Sequence, residues 1–425
     1  MKYFFLFLFL TSCSSLTKSG NETILELGLT PQKGYGPFAV SYSRFSWEMN
    51  DQNSTWGKTQ VEVKGIPKDW ENYTLQQIWF DAKQFGYQNH HQGNIDSTFY
   101  KVLENSWDIN LKKRALSKRP IKCFSHILMK KSKSGKISYI VDINNNRDFS
   151  DDIIITDVET LSWKDKKKGL KNTHSMVYET FENGKIIEKE SELLILESGG
   201  KLLYNFPGYY TSSYKNEQID ISFGFSDFTF DNPKLKKSSE GYPILMNEYI
   251  TLNNNTFKNL GVNFNKHLLK LERMEYDSNL VSSQVGYFAK PFNGNDFLSN
   301  EVIKFSNYNG KFLYLDFWGT WCSPCVREIP NLKKAVEQLD SNKINFLGIA
   351  EDSEKSLKKF LDKNKLPWKQ ILNSQENNIV KSFGVKGFPT TYLIDPDGKI
   401  VAKNLRGKAL SDTLNHFIKN YFEIN

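Results

Sequence analysis

Cys322-Ser323-Pro324-Cys325 is the one place in this chain where two thiols stand within a helical turn of each other. A pair at this spacing can hold half of a zinc site, or it can cycle between dithiol and disulfide. Zinc needs a second ligand pair, and the other two cysteines, Cys13 and Cys123, have no metal-ligand motif around them. The spacing therefore favours redox exchange. Before the pair, Phe312-Leu313-Tyr314-Leu315-Asp316-Phe317 reads as a buried strand; after it, Ile329, Leu332, Val336 and Leu339 recur with a helical period. The two cysteines thus straddle a helix N-terminus, where free backbone N–H groups and partial positive charge stabilise a thiolate. Cys322 is then the exposed nucleophile, and Cys325, one turn deeper, resolves the mixed disulfide. This chemistry needs no cofactor beyond the Cys pair.

A second stretch carries oxygen-bearing side chains at alternate positions. In Asp142-Ile143-Asn144-Asn145-Asn146-Arg147-Asp148 the residues Asp142, Asn144, Asn146 and Asp148 are spaced as in loops that bind Ca²⁺. Arg147 stands where such loops place glycine, and Ile153 where they place the closing glutamate. An Asx-rich turn between two strands explains the same residues without metal. Both readings stay open at this level.

The N-terminus reads as an address. Lys2 and the apolar run Tyr3 to Leu10 make a secretory leader too short to cross a bilayer, which needs about 20 apolar residues. It ends at Leu10-Thr11-Ser12-Cys13, which resembles a bacterial lipobox. The resemblance implies acylation of Cys13 and a lipid-anchored protein on the outer side of a bacterial membrane, facing the periplasm or in the outer membrane.

The elements that must position the Cys pair emerge from the rest of the chain. At 425 residues one core is not enough, so several domains are expected. From about 23 to 283 short alternating β-branched and aromatic runs are punctuated by turns, among them the hairpin signal Asn183-Gly184. This region is expected to be β-rich, sandwich- or barrel-like, in two units, 23–160 and 161–283, with a weak helix over Leu75 to Phe85. The lysine run Lys164 to Lys168 falls in the loop between them, and Cys123 reads as a small buried core residue. Residues 1–12 form the signal peptide and 13–22 a tether. From 284 to 425 strands and helices alternate, as in an α/β unit. Basic residues number 56 against 48 acidic, a net +8 spread without a basic tail, which gives no nucleic-acid footprint.

Three motifs complete the reading: Asp316-Phe317-Trp318-x-x-Trp321-Cys322-x-Pro324-Cys325, then Cys325-x-x-Glu328-x-Pro330, then Gly387-Phe388-Pro389-Thr390-Thr391 with Asp397-Gly398-Lys399 after it. Together they resemble the thioredoxin superfamily, and within it the membrane-tethered TlpA/ResA-like thiol:disulfide oxidoreductases. The resemblance covers residues 284–425 and implies a thioredoxin-like α/β fold. It also implies that Pro389 is a cis-proline facing the sulfurs and leaves the Phe388 backbone free to pair with a substrate strand. Asp316 matches the buried acid that shuttles the proton of Cys325, Glu328 the glutamate that tunes the thiols, and Trp321 the cover over the site. The chain departs from the family at Ser323-Pro324, and Ile344 to Ala350 lack the lysine that accompanies the buried acid in cytosolic thioredoxin. Thr320 lies two residues before Cys322 with no nearby proline ahead of it, which is not the peroxidase context.

The function expected from all this is lipid-anchored, extracytoplasmic reduction of disulfides in exported proteins or apocytochromes, with electrons from a membrane dithiol donor. Two rivals remain at this level: a surface lipoprotein that binds a ligand through its β domain, with an accessory thioredoxin domain, and a disulfide-forming oxidase.

Overall fold

Alternating strands in the first two-thirds of the chain pair antiparallel, while the last third folds around one strand buried on both faces. The computed structural model describes residues 15–19, 22–45, 54–112, 114–162, 173–223, 233–237, 241–275, 277 and 279–424. The leader, Cys13 and the Lys164 to Lys168 run lie outside the described residues. The chain divides into two units, Met1–Glu275 and Tyr276–Asn425.

The first unit is β-rich. One five-stranded sheet orders Ser15–Ser19, Glu22–Gly28, Leu268–Arg273, Asn255–Asn263 and Tyr249–Leu252. The expected split into 23–160 and 161–283 is not how the strands pair. Glu22–Gly28 lies against Leu268–Arg273, and Thr30–Lys33 against Gly208–Tyr214. Sheet edges seek backbone partners wherever the apolar faces match, and here the early strands find theirs more than 170 residues on, as Thr30 does opposite Thr211. Ser15–Ser19, expected within the tether, is an edge strand. The Asn183-Gly184 turn joins Thr173–Glu182 to Lys185–Ser198 with both turn residues at positive φ, 51° and 78°, as a type I′ hairpin requires.

Leu75 to Phe85 is not a helix throughout. Thr74–Trp79 is a strand beside Phe124–Lys131, and the helix is Ala82–His91. Its start is set by Asp81, whose carboxylate accepts the Gln84 N–H at 3.0 Å, so the residues before the cap are free to join the sheet. A second helix, Ser97–Ser106, is capped in the same way by Asp96. Cys123 is fully buried and free, and burial pushes its thiol well up, which keeps it protonated and inert.

The second unit has the thioredoxin-like fold. Its elements are β1 (Phe312–Trp318), α1 (Ser323–Gln338), β2 (Ile344–Ala350), α2 (Glu354–Asn364), β3 (Lys369–Leu372), α3 (Ile379–Ser382), β4 (Thr390–Ile394), β5 (Ile400–Lys403) and α4 (Leu410–Ile424). The sheet order is β3-β2-β1-β4-β5, parallel across β3, β2 and β1 and antiparallel beyond. All seven residues of β1 are buried, as a central strand covered on both faces demands. Phe312 and Tyr314 face one layer, where they pack with Leu332 and Ala335 of α1 and Leu410 and Leu414 of α4. Leu313, Leu315 and Phe317 face the other, against Ile379 and Phe383. By the same alternation Asp316 points to the α1 side.

Candidate active site

The site forms where β1 ends and α1 begins. After Trp318 the backbone turns at Gly319, where a Cβ would lie 2.6 Å from the Trp321 indole nitrogen and 2.9 Å from the Glu351 carbonyl, so only glycine fits. The turn is tied to the end of β2 on two sides. The Thr320 N–H donates to the Asp352 carboxylate at 2.6 Å, and Trp321 Nε1 donates to the Glu351 carbonyl at 2.8 Å. Trp321 is left 62% exposed over the site and meets Phe388 edge to face, with ring centroids 5.4 Å apart.

Cys322 is the N-cap of α1, and the Cys325 N–H donates to its sulfur at 3.3 Å. Pro324 sits in the first turn, where its missing N–H costs no hydrogen bond. Cys322 and Cys325 are joined as a disulfide, so the structure is that of the oxidised form. Cys322 was expected to be exposed, yet it is 4% exposed against 3% for Cys325. The reason is packing: both belong to an apolar cluster with Trp318, Ile329, Leu357 and Leu361, and Phe388 packs onto it. The Phe388–Pro389 peptide is cis. Among the described residues no backbone hydrogen bond engages Phe388, and β4 starts only at Thr390.

Asp316 lies beneath this helix start, 8% exposed. Burial pushes its carboxyl up to about 7; the Glu328 carboxylate pushes the same way, and the Arg406 guanidinium opposes them. A carboxyl in that range can hold or release a proton at neutral pH. Glu328 is on α1 one turn past Cys325, half-buried. Its Oε1 accepts the Gly407 N–H at 2.5 Å and its Oε2 the Asn331 amide at 3.1 Å. The fold therefore gathers Cys322, Cys325, Asp316, Glu328, Trp321, Phe388 and Pro389 around one end of the sheet.

Several residues of the site carried no sequence signal. Asp352, Asn331 and Gly407 belong to no motif, and each enters through a hydrogen bond between segments or along a helix. Gln370 is another, accepting from Trp318 Nε1 at 2.9 Å while its own N–H donates to Asp296.

The Asp142 to Asp148 loop belongs to the first unit. The Asp142 oxygens accept the N–H groups of Asn146 and Arg147, the Asn146 side chain accepts from Asp148, and Asp148 accepts from Ser150. The Asn144 and Asn146 amides both donate to Asp151. The oxygens a cation would take are thus engaged as Asx turns engage them. Among the described residues no cluster of three or more His, Cys, Asp or Glu is arranged to hold a metal ion.

Residues 285–403 match the family model described as the AhpC/TSA family. The thiol-disulfide oxidoreductase ResA of Bacillus cereus (strain ATCC 10987 / NRS 248) is 28% identical over 145 residues, 34% of this chain and 82% of the relative. That of a second Bacillus cereus strain is 31% identical over 121 residues, 28% of this chain and 69% of the relative. Among solved structures, the thioredoxin domain of a thiol-disulfide oxidoreductase from Bacteroides vulgatus is 33% identical, covering 32% of this chain and 97% of that one, with a TM-score of 0.30.

Proposed function

Because the chain belongs, through its C-terminal unit, to the ResA-like thiol-disulfide oxidoreductases, we propose that it works as a reductase of disulfides in exported proteins or apocytochromes. The observation that carries this reading is the Cys322–Cys325 disulfide at the N-terminus of α1, with a buried acid on the strand below it.

The cycle starts from the dithiol. The Cys322 thiolate attacks one sulfur of a substrate disulfide; that S–S bond breaks, and the other substrate sulfur leaves as a thiolate that takes a proton from water. The mixed disulfide through Cys322 is then attacked by Cys325, whose proton passes to Asp316. The second substrate sulfur leaves as a thiolate, and the Cys322–Cys325 disulfide forms. Two electrons have moved to the substrate, and a membrane dithiol donor returns them. Phe388 supplies the backbone edge for the substrate strand, and Trp321 the apolar cover. Glu328 acts through its charge on Asp316.

The location is part of the proposal. Residues 1–12 act as the leader and Cys13 as the lipidated residue, holding the protein on the outer side of a bacterial membrane. No helix among the described residues is long and apolar enough to cross a membrane. The direction of electron flow is tested by equilibrating the Cys322/Cys325 couple with glutathione. A potential near that of thioredoxin, about −270 mV, supports a reductase, and one near −120 mV makes the protein an oxidase.

A further inference from the structure

Glu328 is held by a segment that no redox motif includes. The turn between β5 and α4 runs through Leu405, Arg406 and Gly407, and the Gly407 N–H donates to Glu328 Oε1. Gly407 has φ +96°, a backbone conformation that suits glycine and strains other residues, and from it the chain turns into α4 while its amide stays on Glu328. The same turn is stapled from the sheet side. The Leu405 carbonyl accepts from Tyr314 Oη at 2.7 Å and from Thr391 Oγ1 at 3.1 Å. Thr391 sits directly opposite Asp316 in the β1–β4 register, and Tyr314 is two residues before it on the same face of β1. The turn therefore touches α1, β1 and β4 around one buried carboxyl. Arg406 at its tip is exposed and is the cation whose charge reaches Asp316.

We infer that Leu405-Arg406-Gly407 is a positioning element of the redox site: Gly407 fixes the Glu328 carboxylate near Asp316, and Arg406 counterbalances it, so that the turn sets how Asp316 handles its proton. This rests on the reading of Asp316 as the proton carrier for Cys325. The groups facing Asp316 are Glu328 from α1, Arg406 from the turn, and Tyr314 from its own strand, which burial keeps neutral. Glu328 and Arg406 act with opposite sign, and that makes the inference testable.

The readout is the protonation of Asp316 in the oxidised full chain, followed across pH by the infrared absorption of its buried C=O and assigned with Asp316→Asn. In Tyr314→Phe/Thr391→Val the turn loses its staples and Glu328 is released, so the Asp316 midpoint falls by roughly half a pH unit or more. In a Glu328→Gln background the same double substitution no longer lowers the midpoint, because there is no carboxylate left to move, and any remaining change is the rise that follows from loosening Arg406. Arg406→Gln raises the midpoint by roughly half a unit, Arg406→Lys restores it, and about 0.5 M salt erases the difference because the side chain is exposed. General loosening of the site would lower the midpoint equally with Gln at position 328, and that result overturns the inference, as does a midpoint that ignores Arg406→Gln. Should the midpoint move as expected while the rate of mixed-disulfide resolution does not follow it, the turn keeps its role and the reading of Asp316 as proton carrier fails.

Discussion

The backbone N–H of Cys325 donates to the sulfur of Cys322 at 3.3 Å, so the thiol proposed to attack the substrate is also the cap of its helix. The contact ties sequence spacing to chemistry. The N3 amide lies three positions after the N-cap, so in C-x-x-C the second cysteine supplies the N–H that the first one's sulfur accepts. In the disulfide form the amide and the helix N-terminus already face the Cys322 sulfur, an environment of the kind that stabilises a thiolate.

Asp316→Asn should leave Cys322 reactive toward small alkylating agents and slow resolution of the mixed disulfide. Positioned general-base help is worth roughly 10² to 10⁴ in rate. With the acid near 7 in the folded protein, the loss should be large around neutral pH and shrink at high pH, where the Cys325 thiol ionises unaided. Single-turnover resolution across pH is the measurement; parallel profiles without convergence would leave Asp316 a packing residue.

The same carboxyl makes a stability prediction. Its folded pKa is raised from 3.8 to about 7, so between these values the native state holds a proton the unfolded chain has lost. Stability contributed by this group is therefore full below about pH 4, declines as pH rises, and is gone above about 7, a loss of order 4 kcal/mol. Asp316→Asn lacks the decline. Hydrogen exchange of the β1 amides in the oxidised full chain, compared at about pH 5 and pH 8.5, should show the mutant overtaking wild type at the higher pH; equal slopes in the two proteins would contradict the shift.

Cys13→Ser should turn a detergent-requiring protein into one released in aqueous buffer after leader processing, because removing the acyl chains removes the anchor. A wild-type protein with a cleaved leader that partitions into the aqueous phase of a detergent extraction would dismiss the lipid anchor.

What the sequence disclosed and what it hid divide along physical lines. The Cys pair, β1 and α1 were legible because each rests on local periodicity, and the helix expected to run to about Leu339 ends at Gln338 with Leu339 as its C-cap. The pairing of Glu22–Gly28 with Leu268–Arg273 was not legible, since strand partners distant in sequence leave no local trace. The burial of Cys322 was hidden for a related reason: Phe388 reaches the cluster from 66 residues away in the chain. Glu328 was visible as a motif residue, but its hold on Gly407 depends on a turn whose only signal is one glycine among 26.

Calorimetric titration of the full chain with Ca²⁺ should give no heat and no rise in melting temperature, because the oxygens of Asp142, Asn146 and Asp148 already accept backbone N–H groups. Saturable heat that Asp142→Asn and Asp148→Asn both abolish would establish a cation site there.

The central claim is that Cys322 attacks and Cys325 releases, and trapping tests it most directly. The reduced full chain carrying Cys325→Ala is offered a disulfide-bonded protein such as insulin, and adducts are resolved by non-reducing electrophoresis and mass spectrometry. The expected result is a stable mixed disulfide through Cys322 that accumulates with Cys325→Ala and is absent with Cys322→Ala, while both variants lose catalytic insulin reduction. Adducts through Cys325 in the Cys322→Ala protein, with none through Cys322 in the Cys325→Ala protein, would contradict the account.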